Sequence, residues 1–258
     1  MTTSVLVTGS ADGIGRETAR TLIRRGHRVV VHARSVARAA EVRETIPGAA
    51  EVVVGDLASL EEIRALAAAA RRQGPYAAVI HNAGVGGGAP HREVTADGIE
   101  RIFQVNVLAP YLLTALMERP ARLVYLTSGL EAHGVADLDD LQNLRGRWDG
   151  EQAYSDSKLC DVLLAFAVAR RWPEVRSNAV DPGWIRTRMG GPGAPGTLPQ
   201  GADTPVWLAS SDDPAAAVSG RYFKERRALR ANPAAYDEDL QEGLLHALAT
   251  LSGVTLPL

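Results

Sequence analysis

With 258 residues, 46% of them hydrophobic and 22% charged, the chain is long enough for one large α/β domain with a substantial core and is not a disordered polymer. Its formal net charge of -2 offers no global field to recruit nucleic acid or an anionic membrane, and no apolar run approaches the ~20 residues that span a bilayer. MTTSVLVTGS has no basic segment followed by an apolar one, so a cytoplasmic location is expected, while one cysteine, Cys160, and six scattered histidines rule out an internal disulfide and leave a metal site unsupported.

SVLVTG, residues 4–9, reads as a first strand. It runs into TGSADGIGRETA, where Gly9, Gly13 and Gly15 lead into a helical pattern, GRETARTLIRR. Glycines allow a tight turn and bring backbone N–H groups close to a pyrophosphate, which the following helix N-terminus favours. A second strand, RVVVHA, ends at Arg34 with no acid before Glu41, where a carboxylate would bind the ribose 2′-hydroxyl of NAD(H). A guanidinium suits a 2′-phosphate instead, and Arg16, a cation just inside a helix N-terminus, points the same way, so NADP(H) is expected over NAD(H). Both arginines also read as ordinary solvated side chains.

A helix over SVARAAEVRETI, a strand EVVVGD, a helix SLEEIRALAAAARR and a strand AAVIHN follow, then a helix over ADGIERIFQVNVLAPYLLTALME, a strand RLVYLTS, a helix bearing Tyr154 and a strand VRSNAVDPG. Continuous apolar strands alternating with helices indicate a single-domain doubly wound parallel sheet, a Rossmann fold of the α/β class covered by helices on both faces, with no boundary between residues 1 and 258. From Asp181 to about residue 203 glycine and proline dominate, which predicts an irregular substrate lid at the carboxyl edge of the sheet.

The spacing of Thr8 to Gly15, T-G-x-x-x-G-I-G with Ile14 between the last two glycines, resembles the first turn of the short-chain dehydrogenase/reductase family. DLASLEEI after the third strand and Asn82-Ala83-Gly84 after the fourth extend the resemblance. The resemblance implies that Asp56 and Leu57 contact adenine, and that the Asn-Ala-Gly element packs under the cofactor. It further implies a catalytic set of Asn106, Ser128, Tyr154 and Lys158, with Lys158 also binding the nicotinamide ribose. In DPGWIRT it implies a nicotinamide-binding turn of Pro182, Gly183, Ile185 and Thr187.

The residue types suit carbonyl–alcohol chemistry. Reducing a carbonyl needs a hydride from the cofactor and a proton for the developing alkoxide, and oxidation reverses both. A phenol at pKa about 10 is a poor base at neutral pH, and bringing one to about 7 takes roughly 4 kcal/mol. An ammonium about 4 Å away supplies ~1 kcal/mol in water and ~4 kcal/mol at an effective dielectric near 20, so a lysine tunes a phenol only where solvent is excluded. Tyr154 and Lys158 are four residues apart and share a helix face. Ser128, at the end of a strand, is placed to donate to the substrate oxygen. Pro110 lacks the N–H that would bond the Asn106 carbonyl, which predicts a kinked helix and a free acceptor; by resemblance that carbonyl holds a proton-relaying water.

The long interval between Ser128 and Tyr154, together with AYSDSKLCDVLL and SGRYF, resembles the retinol-dehydrogenase-like and protochlorophyllide-reductase-like branch. Trp184, Met189 and Leu198 in the lid suggest an apolar or amphipathic small-molecule carbonyl or alcohol as substrate. Two other classes are compatible with parts of the pattern: a catalytically idle NADP(H)-binding sensor, and an isomerase or dehydratase of extended relatives. The helices bearing Asn106 and Tyr154 are apolar over wide arcs, which suits a homodimer or homotetramer but is equally met by packing on the sheet.

Overall fold

In the computed structural model of the chain, residues 3–86, 88 and 90–258 are described. Their β-branched runs form β1 (Ser4–Val7), β2 (Arg28–Ala33), β3 (Glu51–Val54), β4 (Ala78–His81), β5 (Arg122–Leu126), β6 (Arg176–Val180), β7 (Arg221–Lys224) and β8 (Arg227–Leu229). They make one sheet in the order β3-β2-β1-β4-β5-β6-β7-β8, parallel except for the β7–β8 pair. The order reverses between β1 and β4, opening a crevice at their carboxyl ends.

Alternation along each strand divides the core. On one face β1 buries Val5 and Val7 together with Ala19 and Leu22 of α1 (Gly13–Arg24), Val42 of α2 (Val36–Thr45) and Trp207 of α7 (Leu198–Ser210). On the other, Leu6 joins Ile63 and Leu66 of α3 (Leu60–Gln73), Leu112 of α5 (Ala109–Leu116), the apolar length of α6 (Gly150–Arg171), and Leu244 and Leu248 of α8 (Glu238–Ser252). The arcs of α5 and α6 are thus taken up within the chain, α6 packing against α8, so their apolar character carries no argument about subunits. None of the described helices is long and apolar enough to cross a membrane.

Three local features differ from the sequence reading. The helix expected from residue 96 starts at Arg101, because Glu100 caps it by accepting from the Ile102 and Phe103 N–H groups. Its short α4 (Arg101–Phe103) passes into a π-helix over Gln104–Leu108 before α5, and the Ala109 N–H reaches the Gln104 carbonyl. This wider turn accommodates Pro110 just inside the start of α5. The irregular segment expected through residue 203 ends at Thr197: Thr197 and Gln200 form a capping box, and Pro199 sits in the first turn, where no N–H is needed. The β7–β8 hairpin was not anticipated, since its turn residues Glu225 and Arg226 have φ of 50° and 59° without the usual glycine or asparagine.

Trp172 closes α6 at 1% exposure, with the Arg119 guanidinium 4.5 Å from its ring centroid and its indole N–H donating to the Pro257 carbonyl at 2.7 Å. Trp172→Ala is expected to cost about 3–5 kcal/mol of stability, read as a lower urea midpoint.

Candidate active site

The crevice at the strand reversal is a cleft of about 580 Å³. Its floor is backbone. Gly9 has φ of 62°, and a Cβ there would lie 2.7 Å from Ala83 Cα; a Cβ on Gly15 would collide with Asn82 Nδ2 and the Gly9 carbonyl oxygen. Thr8 lies beneath this floor, its Oγ1 accepting from the Asn82 and Ala83 N–H groups at 3.0 and 3.1 Å. Asn82 Nδ2 donates to the carbonyls of Thr8 at 2.9 Å and Gly9 at 3.2 Å. The turns after β1 and β4 are thereby fastened together. Thr8 braces the cradle from below, while Gly9, Gly13, Ile14, Gly15, Asn82, Ala83 and Gly84 line it.

His32, which the sequence reading passed over, holds the same turn from the side. Its Nδ1 accepts from the Gly9 N–H at 3.0 Å and its Nε2 donates to the Gly55 carbonyl at 2.8 Å, a pairing that requires the neutral Nε2–H tautomer. Burial holds its pKa below the ordinary histidine value, consistent with that neutral form. Strand alternation alone would have marked His32 as inward-facing, but nothing in the sequence shows the Gly9 partner.

At the end of the cleft beside β2, Arg34 is exposed, lines the cleft and has no ion-pair partner among the described residues. Arg38, four residues later in α2, lines the cleft as well while pairing with Glu41. Asp56 and Leu57 border the same end. Arg16 does not: it pairs at 3.3 Å with Asp12, the α1 N-cap residue, which also receives Arg188 at 3.1 Å. The anion that makes a cation tolerable at this helix start is therefore within the chain, and Arg16 gives no evidence of a phosphate.

At the opposite end, Tyr154 is half-buried and Lys158 is buried, with Nζ 5.6 Å from the phenol ring centroid. Gly86, another residue not anticipated, has φ of 135° and packs so closely on the ring that a Cβ would strike Tyr154 Cδ2. Lys158 Nζ donates to the Leu126 carbonyl at 3.0 Å and to Asp161 Oδ2 at 2.8 Å. The Lys158 carbonyl accepts from Thr127 Oγ1 at 2.7 Å, tying α6 to the end of β5. Burial opposes the ammonium charge, but Asp161 and Tyr154 outweigh it and hold the Lys158 pKa above the ordinary lysine value.

Asn106 is buried and its amide is fully engaged, accepting from the Val85 N–H at 2.8 Å and donating to the Val85 carbonyl at 2.8 Å and Ser157 Oγ at 2.9 Å. It fixes the loop beyond Gly84, where a Cβ would meet Asn106 Oδ1 at 3.4 Å and Lys158 Nζ at 3.5 Å. Ser128 follows Thr127 just beyond β5 but is not among the residues lining the cleft, its Oγ accepting from the Leu130 N–H at 3.3 Å. Pro182 and Thr187 line the cleft, and Thr187 lies across Gly13, 3.4 Å from where its Cβ would be. Gly183 turns the chain with φ of 84°, its N–H bonded to Asp181. Ile185 is buried, its backbone bridging to Gly196 and its side chain lying against Gly196 and Gly201, so it does not line the cleft.

The glycine floor fits a dinucleotide: only a residue without Cβ fits at Gly9 and Gly15, and the α1 N-terminus opens beside them. Residues 3–128 match the family model described as short chain dehydrogenase. A short-chain dehydrogenase of Penicillium rubens is 42% identical over 257 residues, covering 98% of each chain. Human retinol dehydrogenase 14 is 34% identical over 284 aligned positions, covering 93% of this chain and 83% of its own. A crystal structure of a Mycobacterium paratuberculosis protein superposes with a TM-score of 0.85 at 27% identity, covering 99% of this chain and 95% of that one. On these grounds the chain belongs to the short-chain dehydrogenase/reductase family of oxidoreductases, in its retinol-dehydrogenase-like branch.

Proposed function

We propose that the chain is an NADP(H)-dependent oxidoreductase that interconverts a carbonyl and an alcohol, with Tyr154 as the general acid/base. The observation that carries this reading is the half-buried Tyr154 phenol on the cleft wall, with the buried Lys158 ammonium 5.6 Å from its ring centroid and the backbone of Gly86 against its face. When bound, the nicotinamide cofactor supplies or accepts the hydride.

Each end of the cleft has its task. Gly9, Gly13, Ile14 and Gly15 present the glycine turn and the α1 N-terminus to the pyrophosphate, and Thr8 and His32 keep that turn in shape. Asp56 and Leu57 flank the adenine, and Arg34 with Arg38 receive the 2′-phosphate. Pro182, Gly183, Ile185 and Thr187 form the turn for the nicotinamide end. In carbonyl reduction Tyr154 gives its hydroxyl proton to the developing alkoxide while Ser128 Oγ donates to the same oxygen; alcohol oxidation reverses the proton's path. Lys158 places a positive charge beneath the phenol and offers an N–H to the ribose. Asn106 holds Val85, and so Gly84 and Gly86, against this group; its carbonyl, which Pro110 cannot satisfy, is an acceptor for a relaying water. Trp184 and Met189, 63% and 51% exposed on the lid, favour an apolar or amphipathic substrate.

Two measurements test this. In NADPH-oxidation assays over a panel of ketones and aldehydes, Tyr154→Phe is expected to lower turnover by about 10²–10⁴-fold while NADPH still binds; unchanged turnover contradicts the assignment. Arg34→Asp is expected to weaken NADPH binding by roughly 10- to 100-fold, as loss of a charge-assisted contact worth ~1.5–3 kcal/mol predicts, and to leave NADH binding unchanged or improved. An equal loss for both cofactors removes Arg34 from the 2′-phosphate site.

A further inference from the structure

Nothing in the requirements for packing α6 calls for a carboxylate at position 161. From Leu159 to Val168 the helix is buried, and Asp161 sits in that stretch at 3% exposure between Cys160 and Val162. A charged side chain in such a place is costly unless paired, and replacing a buried ion pair by apolar residues is often neutral or stabilising, so stability alone does not explain it. Its partner is the Lys158 ammonium: Oδ2 lies 2.8 Å from Nζ, one helical turn away, with the two side chains 4% and 5% exposed.

We propose that Asp161 is a positioning residue of the reaction, its carboxylate holding the buried Lys158 ammonium charged and fixed beneath Tyr154. The proposal rests on the oxidoreductase reading above and concerns the same site. Lys158 Nζ carries three N–H donors; Asp161 and the Leu126 carbonyl take two, leaving one for a cofactor or substrate oxygen in the cleft that Lys158 lines. Asp161 thus sets both the charge of the ammonium and the number of donors it presents.

The surrounding groups leave no substitute. On α6 itself the titratable neighbours are Tyr154 and Cys160, and burial pushes the Cys160 thiol far up, keeping it neutral. From β5 comes Tyr125, likewise pushed up by burial and hydrogen-bonded to Thr114 Oγ1 of α5 at 2.8 Å. From β4 comes His81, stacked on Tyr125 with centroids 4.8 Å apart and its pKa lowered by burial to about 3. From the π-helix comes the neutral amide of Asn106. Asp161 is therefore the fixed carboxylate facing Lys158 among the described residues. Burial raises the Asp161 pKa to about 6 even against the opposing pull of Lys158, so the carboxylate is formed at neutral and alkaline pH.

With Asp161 in place, Lys158 stays charged into the alkaline range. Without it, burial acts alone on the ammonium, its pKa falls, and the charge is lost as pH rises. The test compares wild type, Asp161→Asn and Asp161→Glu in two measurements over neutral to alkaline pH: NADPH affinity by fluorescence titration, and NADPH-dependent turnover of a responsive carbonyl. Asp161→Asn is expected to shift the alkaline limb of both downward by about one to three pH units, with Asp161→Glu moving it back towards wild type. If Asp161→Asn does not give a folded chain by circular dichroism, Asp161→Ser, which also removes the charge, takes its place with the same expectation. A folded uncharged variant whose pH limbs match wild type, or whose losses are uniform at every pH and unrepaired by glutamate, overturns the proposal. Should Tyr154→Phe retain full turnover, the catalytic reading fails, yet the pH dependence of NADPH affinity still decides the role of Asp161.

Discussion

The turns that follow β1 and β4 must come within hydrogen-bonding distance of one another, and the rest of the site is arranged around that meeting. Thr8 accepts from two backbone N–H groups of the β4 turn, and Asn82 donates back to two carbonyls of the β1 turn. This closeness is why Gly9 and Gly15 tolerate no Cβ, and why the crevice between them has a floor made of backbone. From that floor the loop continues to Val85, which the Asn106 amide grips from the π-helix, and Asn106 in turn reaches Ser157 on α6. One chain of contacts therefore runs from the glycine turn to the helix that carries Tyr154.

The buried polar groups along this path divide by charge. His32 and His81 are driven neutral by burial, and their roles are those of shaped hydrogen-bonding or stacking groups. Lys158 and Asp161 remain an ion pair under comparable burial because each is within 2.8 Å of its opposite. A charge kept inside a protein at such cost is a common sign of a working site, since a neutral pair of similar shape packs at least as well. The same contrast separates Arg34 from Arg16: one cation faces the cleft without an ion-pair partner among the described residues, and the other is satisfied by Asp12 a turn away.

Much of the frame was legible in the sequence because it rests on local patterns. The first six strands, the helices between them and the glycine turn follow from alternation, periodicity and residues without side chains. The missed features depend on contacts between distant parts. The β7–β8 turn has no glycine; Arg226 is secured there by Asp203 and by Thr204, whose hydroxyl accepts its N–H at 3.0 Å. His32 and Gly86 matter only because Gly9 and Tyr154 lie against them, and Asp161 looks like an odd polar residue until its carboxylate is seen 2.8 Å from the buried Lys158 ammonium. Of the proposed site residues, Thr8, Arg16, Asn106, Ser128, Gly183 and Ile185 do not line the cleft: Thr8 and Asn106 brace its floor and Arg16 pairs with Asp12, a distinction that residue type cannot convey.

The segment between β6 and α7 has ends that meet. Ile185 bridges to Gly196, the Arg186 N–H bonds the Gly196 carbonyl at 2.9 Å, and the Gly196 N–H bonds the Trp184 carbonyl at 3.1 Å, so the segment between them leaves and re-enters the fold at a single point. Because the closure entropy of a loop rises only by ~0.6 kcal/mol for each doubling of its length, such a segment tolerates insertion and deletion at little cost to the sheet behind it. The residues between Arg188 and Pro195 can therefore be exchanged for longer or differently shaped stretches, reshaping the rim of the cleft beside Arg188 and Met189 while α6, with Tyr154 and Lys158, stays in place.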